Sequence, residues 1–83
     1  MRFLWDALKS DRTLAERGFD FDYATAVFAA PLLERADERR DYGEVRRVAV
    51  GIAHGRFLTV VFTDRGDTDG SPIRRIISAR PSN

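Results

Sequence analysis

Glu44-Val45-Arg46-Arg47-Val48-Ala49-Val50-Gly51-Ile52 and Arg56-Phe57-Leu58-Thr59-Val60-Val61-Phe62-Thr63, with His54-Gly55 between them, decide the fold. Both runs are rich in β-branched and aromatic residues, and a His-Gly pair is a turn signal. The pattern predicts a β-hairpin with strands over 44–52 and 56–63. Downstream, Arg65 to Pro72 holds Gly66, Asp67, Asp69, Gly70, Ser71 and Pro72, which is loop chemistry. Ile73 to Arg80 then reads as a third strand. Strands linked in this way predict an antiparallel sheet.

Upstream, Arg2-Phe3-Leu4-Trp5 reads as a short strand with Phe3 and Trp5 on one face. Asp6 is a good N-cap and Gly18 sits at the C′ position, so Ala7 to Arg17 reads as a helix. Its apolar stripe (Ala7, Leu8, Leu14, Ala15) is weak, so much of the helix is expected to be solvated or to cover a partner. Asp20 caps a second helix whose Phe21, Ala24, Val27 and Phe28 follow helical spacing up to Pro31. Leu32 and Leu33 can start a short strand, and the charged segment Glu34 to Tyr42 reads as a solvated strand end or loop. The expected order is β-α-α-β-β-β, a two-layer α+β domain spanning residues 1–83.

Composition narrows the function classes. In 83 residues, 14 basic groups face 13 acidic ones, for a net charge of +1. That near-neutral total excludes a histone-like polycation. Within it, every basic residue except Lys9 is Arg, and seven of the arginines lie between Glu44 and Arg80. There is no Cys and one His, which excludes a disulfide framework, a cysteine nucleophile and the usual zinc ligand sets. No phosphate loop, dinucleotide fingerprint or nucleophile elbow is present. Asp67, Asp69 and Gly70 lack the Glu that a calcium loop requires. No cofactor and no metal are expected. No apolar run has the length of a signal or a membrane span, and the lack of Cys fits a reducing compartment, so the expectation is cytoplasmic. A domain this small buries a modest core, and a stable partner is expected.

The last strand carries Arg74, Arg75 and Arg80. Regular alternation places Arg74, Ile76, Ser78 and Arg80 on one face and Arg75, Ile77 and Ala79 on the other. Arginines on a pleated surface can fork onto phosphate oxygens; equally, they can be solubilising charges or partners of carboxylates. Arg65 beside Gly66 can close on a ligand or belong to a plain turn. In Asp41-Tyr42-Gly43-Glu44, Tyr42 can stack on a base and Glu44 can accept a proton, while a turn with an aromatic lid explains the segment as well. His54 is explained by the turn. Phe3, Trp5, Phe21, Phe28, Phe57 and Phe62 are read as core.

The motifs also form a series. Phe3-x-Trp5-Asp6-x-x-Lys9 is followed by Arg17-Gly18-Phe19-x-Phe21 and Ala26-Val27-Phe28-x-x-Pro31. Then come Asp41-Tyr42-Gly43-Glu44-x-Arg46, Gly51, Thr63-x-Arg65-Gly66 and Arg75-Ile76-Ile77-Ser78-Ala79-Arg80. In this order the chain resembles the BrnT family of type II toxin–antitoxin toxins over almost its whole length. The resemblance implies a RelE-like α+β fold and a metal-independent endoribonuclease acting on RNA. It also implies neutralisation by a cognate DNA-binding antitoxin, with operator DNA bound only through the complex. Carried over by motif, the implied site residues are Arg65, Arg75, Ser78 and Arg80, with Glu44 as a proton-transfer candidate. Glu16-Arg17-Gly18 stands where the family has Lys-His-Gly, Thr13 stands for a common Asn, and the family's C-terminal helix has no counterpart in this sequence. A different class stays open: a non-catalytic module that docks a protein partner through its sheet.

Overall fold

The computed structural model describes residues 1–38 and 43–82. Strand β1 (Arg2–Trp5) leads into helix α1 (Ala7–Arg17), a one-turn helix α2 (Phe21–Ala24) and a 3₁₀ segment (Thr25–Ala29). Strands β2 (Pro31–Ala36), β3 (Arg47–Ala53), β4 (Arg56–Gly66) and β5 (Pro72–Pro81) follow. They form one five-stranded sheet in the order β1-β5-β4-β3-β2. The helices cover one side of it.

The local signals act as their chemistry dictates. Asp6 Oδ1 accepts from the N–H of Leu8 at 2.9 Å, and Gly18, at φ 81°, donates its N–H to the Leu14 carbonyl. Asp20 Oδ1 caps α2 through the Tyr23 N–H at 2.9 Å. His54 (φ 51°) and Gly55 (φ 81°) are both left-handed, the two-residue turn whose twist suits a hairpin. The His54 ring also lies 4.1 Å from that of Tyr23, which accounts for the histidine structurally.

Four expectations are corrected or extended. The sheet is mixed, because β1 pairs in parallel with β5, Arg2 opposite Ile73 through Trp5 opposite Ile76. All the elements from α1 to β4 lie between the two strands in sequence, long enough for a parallel pairing, and local alternation carries no record of a parallel partner. Second, the short strand that Leu32 and Leu33 can start is realised as β2, which runs from Pro31 to Ala36 antiparallel to β3. It is exposed along its length, and an edge strand tolerates Pro31 and the charges that left Glu34 onward readable as strand end or loop. Third, α2 ends after one turn, where Thr25 Oγ1 donates to the Asp22 carbonyl and the chain tightens into 3₁₀ geometry. Fourth, β3 begins at Arg47 rather than Glu44, and β4 runs on through Arg65 and Gly66. Tyr42 and Asp41 lie outside the described residues.

The core lies between the helices and the sheet. Phe19, Phe21, Val27, Leu58, Val60, Phe62 and Ile76 are wholly buried in it. Phe3, Trp5 and Phe28 are half-buried against it, whereas Phe57, expected in the core, is 53% exposed. Phe57 points away from the helices, and Phe19 takes the buried aromatic position instead. Gly51 permits the close packing: a Cβ there would meet Val27 Cγ1 at 3.0 Å and the Val27 carbonyl at 3.1 Å. α1 contributes little apolar burial. Its one buried residue is Ser10, whose Oγ accepts from the Phe21 N–H at 3.0 Å and ties the two helices together.

Candidate functional site

Among the described residues no helix covers the other face of the sheet, which we term the open face, although Thr63 on it donates to the Val45 carbonyl at 2.7 Å; strand register sorts the strand arginines onto one side or the other. Residues directly opposite in a ladder share a face. On the helix side stand Phe62 opposite Ile76, Val60 opposite Ala79 and Asp64 opposite Arg74. On the open side stand Thr63 opposite Arg75, Val61 opposite Ser78 and Thr59 opposite Arg80. The register shifts between Val61 and Phe62, leaving Ile77 as an extra residue in β5. This β-bulge overturns the regular alternation expected from the sequence. It puts Arg75, Ser78 and Arg80 on one face and Arg74 on the other.

The two sets of arginines live in different surroundings. Arg74 forks onto Asp64, with Nε–Oδ1 at 2.7 Å and NH2–Oδ2 at 2.8 Å. Its guanidinium lies 4.2 Å from the centre of the Phe62 ring and 4.8 Å from that of Phe28. The hydrogen bond that Arg74 donates to Asp64 raises its pKa above the ordinary arginine value. Arg47 pairs with Glu34 at 3.4 Å, and Arg56 covers the Phe19 ring. Arg2 pairs with Asp67 and Arg46 with Glu44. By contrast, Arg35, Arg65, Arg75 and Arg80 make no carboxylate ion pair among the described residues. All four stand on the open face: Arg35 is opposite Val48, which is opposite Val61, and Arg65 is opposite Ile73. An unpaired arginine keeps its forked donors for an incoming anion.

Two hollows meet at Arg80. One, of about 370 Å³, is lined by Arg35, Ala36, Asp37, Glu38, Val48, Val61 and Arg80. Its apolar floor, Val48 and Val61, is nearly buried. The other, of about 310 Å³, is lined by Val50, Thr59, Arg80, Pro81 and Ser82, with the hydroxyls of Thr59 and Ser82 2.6 Å apart. Ser78 stands opposite Val61, beside Arg80. Arg75 stands four residues along β4 from Arg80, ~14 Å at the rise of an antiparallel strand. The two can therefore meet neighbouring groups of an extended ligand more readily than one atom. Arg65 lies two residues farther still.

Glu44 is not among the residues lining either hollow; it is exposed, and Oε1 accepts from Arg46 Nε at 3.2 Å. The carboxylates beside Arg80 are Asp37 and Glu38, which sequence reasoning missed along with Arg35. Asp37 is buried, and its N–H donates to the Arg46 carbonyl at 2.8 Å. Their signal was the possible strand at Leu32 and Leu33, whose charged continuation reads equally as strand end or loop. In the 67–71 loop, the Asp67 pKa is lowered by the Thr68 N–H and by Arg2, and the Asp69 pKa by Ser71. Both carboxylates are occupied in shaping the turn. No cluster of three metal-ligating side chains occurs among the described residues. No helix among them is long and apolar enough to cross a membrane.

Residues 5–83 match the family model described as ribonuclease toxin, BrnT, of type II toxin–antitoxin system. No curated protein matches the sequence. The chain belongs to the BrnT family of ribonuclease toxins.

Proposed function

We propose that this BrnT-family chain is a metal-independent endoribonuclease whose reaction centre lies on the open face at Arg80 and Ser78, with Arg75 farther along the same face. The observation that carries the reading is the bulge at Ile77. It aligns three family-motif side chains on the open face of the sheet, where Arg75 and Arg80 make no carboxylate ion pair among the described residues. The α+β architecture is compatible with a RelE-like toxin.

In the proposed reaction the ribose 2′-oxygen attacks the adjacent phosphorus. The P–O2′ bond forms and the P–O5′ bond breaks, leaving a 2′,3′-cyclic phosphate and a 5′-hydroxyl. The 2′-OH proton goes to a base, and the departing 5′-oxygen takes a proton. Negative charge gathers on the non-bridging oxygens in the transition state. Arg80, with donors already in place, stabilises that charge, and Ser78 adds a hydroxyl donor. Arg75 and Arg65 hold phosphates farther along the strand. Glu38 and Asp37 line the hollow with Arg80 and are better placed to accept the proton than Glu44.

The test is cleavage of RNA in EDTA. Wild-type protein cleaves and yields cyclic phosphate ends. Arg80→Ala lowers kcat by about 10²–10³, the usual effect of removing one preorganised donor. Cleavage unaffected by that substitution removes the assignment.

A second feature bears on the partner. At the hairpin end of the same face, Leu33, Ile52 and Phe57 are all about half exposed. This apolar end adjoins Arg80, since Leu33, Val50 and Thr59 lie in one row with it. A cognate antitoxin seated on it would cover the reaction centre. Neutralisation is then steric, and operator DNA is contacted only by the antitoxin of the complex. A chain that forms such a complex but leaves RNA intact would be the non-catalytic binding module instead.

A further inference from the structure

α1 is an unusual helix. Its Leu8 and Leu14 are exposed, at 75% and 49%, while its polar residues line a cleft of about 310 Å³ against the edge of β5. Lys9, Arg12 and Arg17 follow the i, i+3, i+8 spacing of one helical face, and Arg46 closes the cleft from the approach to β3. The carboxylate among these helix residues is Glu16. Lys9, Arg12 and Arg17 make no ion pair among the described residues. Like charges gathered against a sheet edge attract an anion into the space between them.

The other wall is equally open. β1 pairs with β5 only as far as Ile76, so from Ile77 onward that edge of β5 faces the cleft without a strand partner. Ser78 lines the cleft and, by register, also stands on the open face beside Arg80. The cleft therefore runs into the proposed reaction centre.

We propose that this cleft binds the phosphodiester backbone of the RNA strand flanking the cut site. The inference rests on the ribonuclease reading and assigns a substrate subsite to α1. Long cationic side chains recognise phosphates without reading base edges, so the contribution is the same for every sequence.

The probe is a single-stranded oligoribonucleotide methylated at every 2′-oxygen, which cannot be cleaved by 2′-attack. The exposed double substitution Arg12→Ala/Arg17→Ala is expected to weaken its binding by ~10-fold at 0.1 M salt, with the plot of log K against log salt about 1.4 shallower. Glu16→Gln is expected to tighten binding, which a folding defect would not do. On cleavable RNA, the double variant loses through KM more than through kcat. Wild-type affinity and salt slope in the double variant overturn the proposal. So does a variant that loses only an acidic protein partner, or a wild-type protein that binds no RNA. Wild-type protein that binds the methylated strand yet cleaves nothing condemns the catalytic reading and leaves the cleft in place.

Discussion

Arg74 and Arg80 share a face in a regular strand and stand on opposite faces in this one, so their alanine variants should differ in kind. Arg74 is 15% exposed at its side chain, and Asp64 is 44% exposed. The exposure of Asp64 puts their forked pair near the low end of charge-assisted bonds, about 1 kcal/mol. The Phe62 and Phe28 faces add about 0.5–1 kcal/mol each. Arg74→Ala should therefore cost roughly 2–3 kcal/mol. For a domain of this size that is a fall in Tm of about 10–20 °C. Arg80 is exposed and has no ion pair among the described residues, so Arg80→Ala should stay within about 0.5 kcal/mol. Arg75→Ala should also melt close to the wild type. Thermal unfolding by circular dichroism measures the stability, and RNA cleavage well below each Tm measures the activity. Arg74→Ala should lose stability and keep its rate when folded; Arg80→Ala should do the reverse. An Arg80→Ala protein destabilised as much as Arg74→Ala would refute the bulged register.

Gly51→Ala should destabilise by about 1–3 kcal/mol by urea unfolding, because the new methyl meets Val27 and the Ala30 carbonyl rather than open space. Glu38→Gln should slow cleavage at neutral pH more than Glu44→Gln does; the opposite order in single-turnover rates returns the proton-acceptor role to Glu44. The Asp67 pKa is below 3.8 in the folded chain, so its contribution is present above that pH and is lost as pH falls through the lowered value. Asp67→Asn should therefore flatten the acid side of the Tm–pH curve below about pH 4, and an unchanged slope would show that neither the Thr68 N–H nor Arg2 holds the Asp67 carboxyl down.

The sequence carried the fold wherever a signal was local. The His54-Gly55 turn, the Asp6 and Asp20 caps and the Gly18 terminus each act within a few residues, and each stands where it was expected. What failed was non-local. A parallel partner for β1 leaves no trace in the residues between them. β2 was legible as a possible strand at Leu32 and Leu33, but its extent was not, because an edge strand accepts Pro31 and a run of charge. Ile77 looks like any strand residue, yet as a bulge it reverses the facing of all that follows it, and so decides which arginines meet. Phe57 looked like core because aromatic type does not reveal which face a residue takes. For the same reason Arg74, which is forked onto Asp64 and lies over two phenylalanine rings, was indistinguishable in sequence from Arg75, which has no partner among the described carboxylates.

The most direct test is the product of RNA incubated with purified protein in EDTA. The assignment to the open face predicts fragments ending in 2′,3′-cyclic phosphate from wild-type protein, and their near-complete loss from an Arg80→Ala protein of unchanged Tm. Equal cleavage by the two proteins, or cleavage that disappears with EDTA, contradicts it.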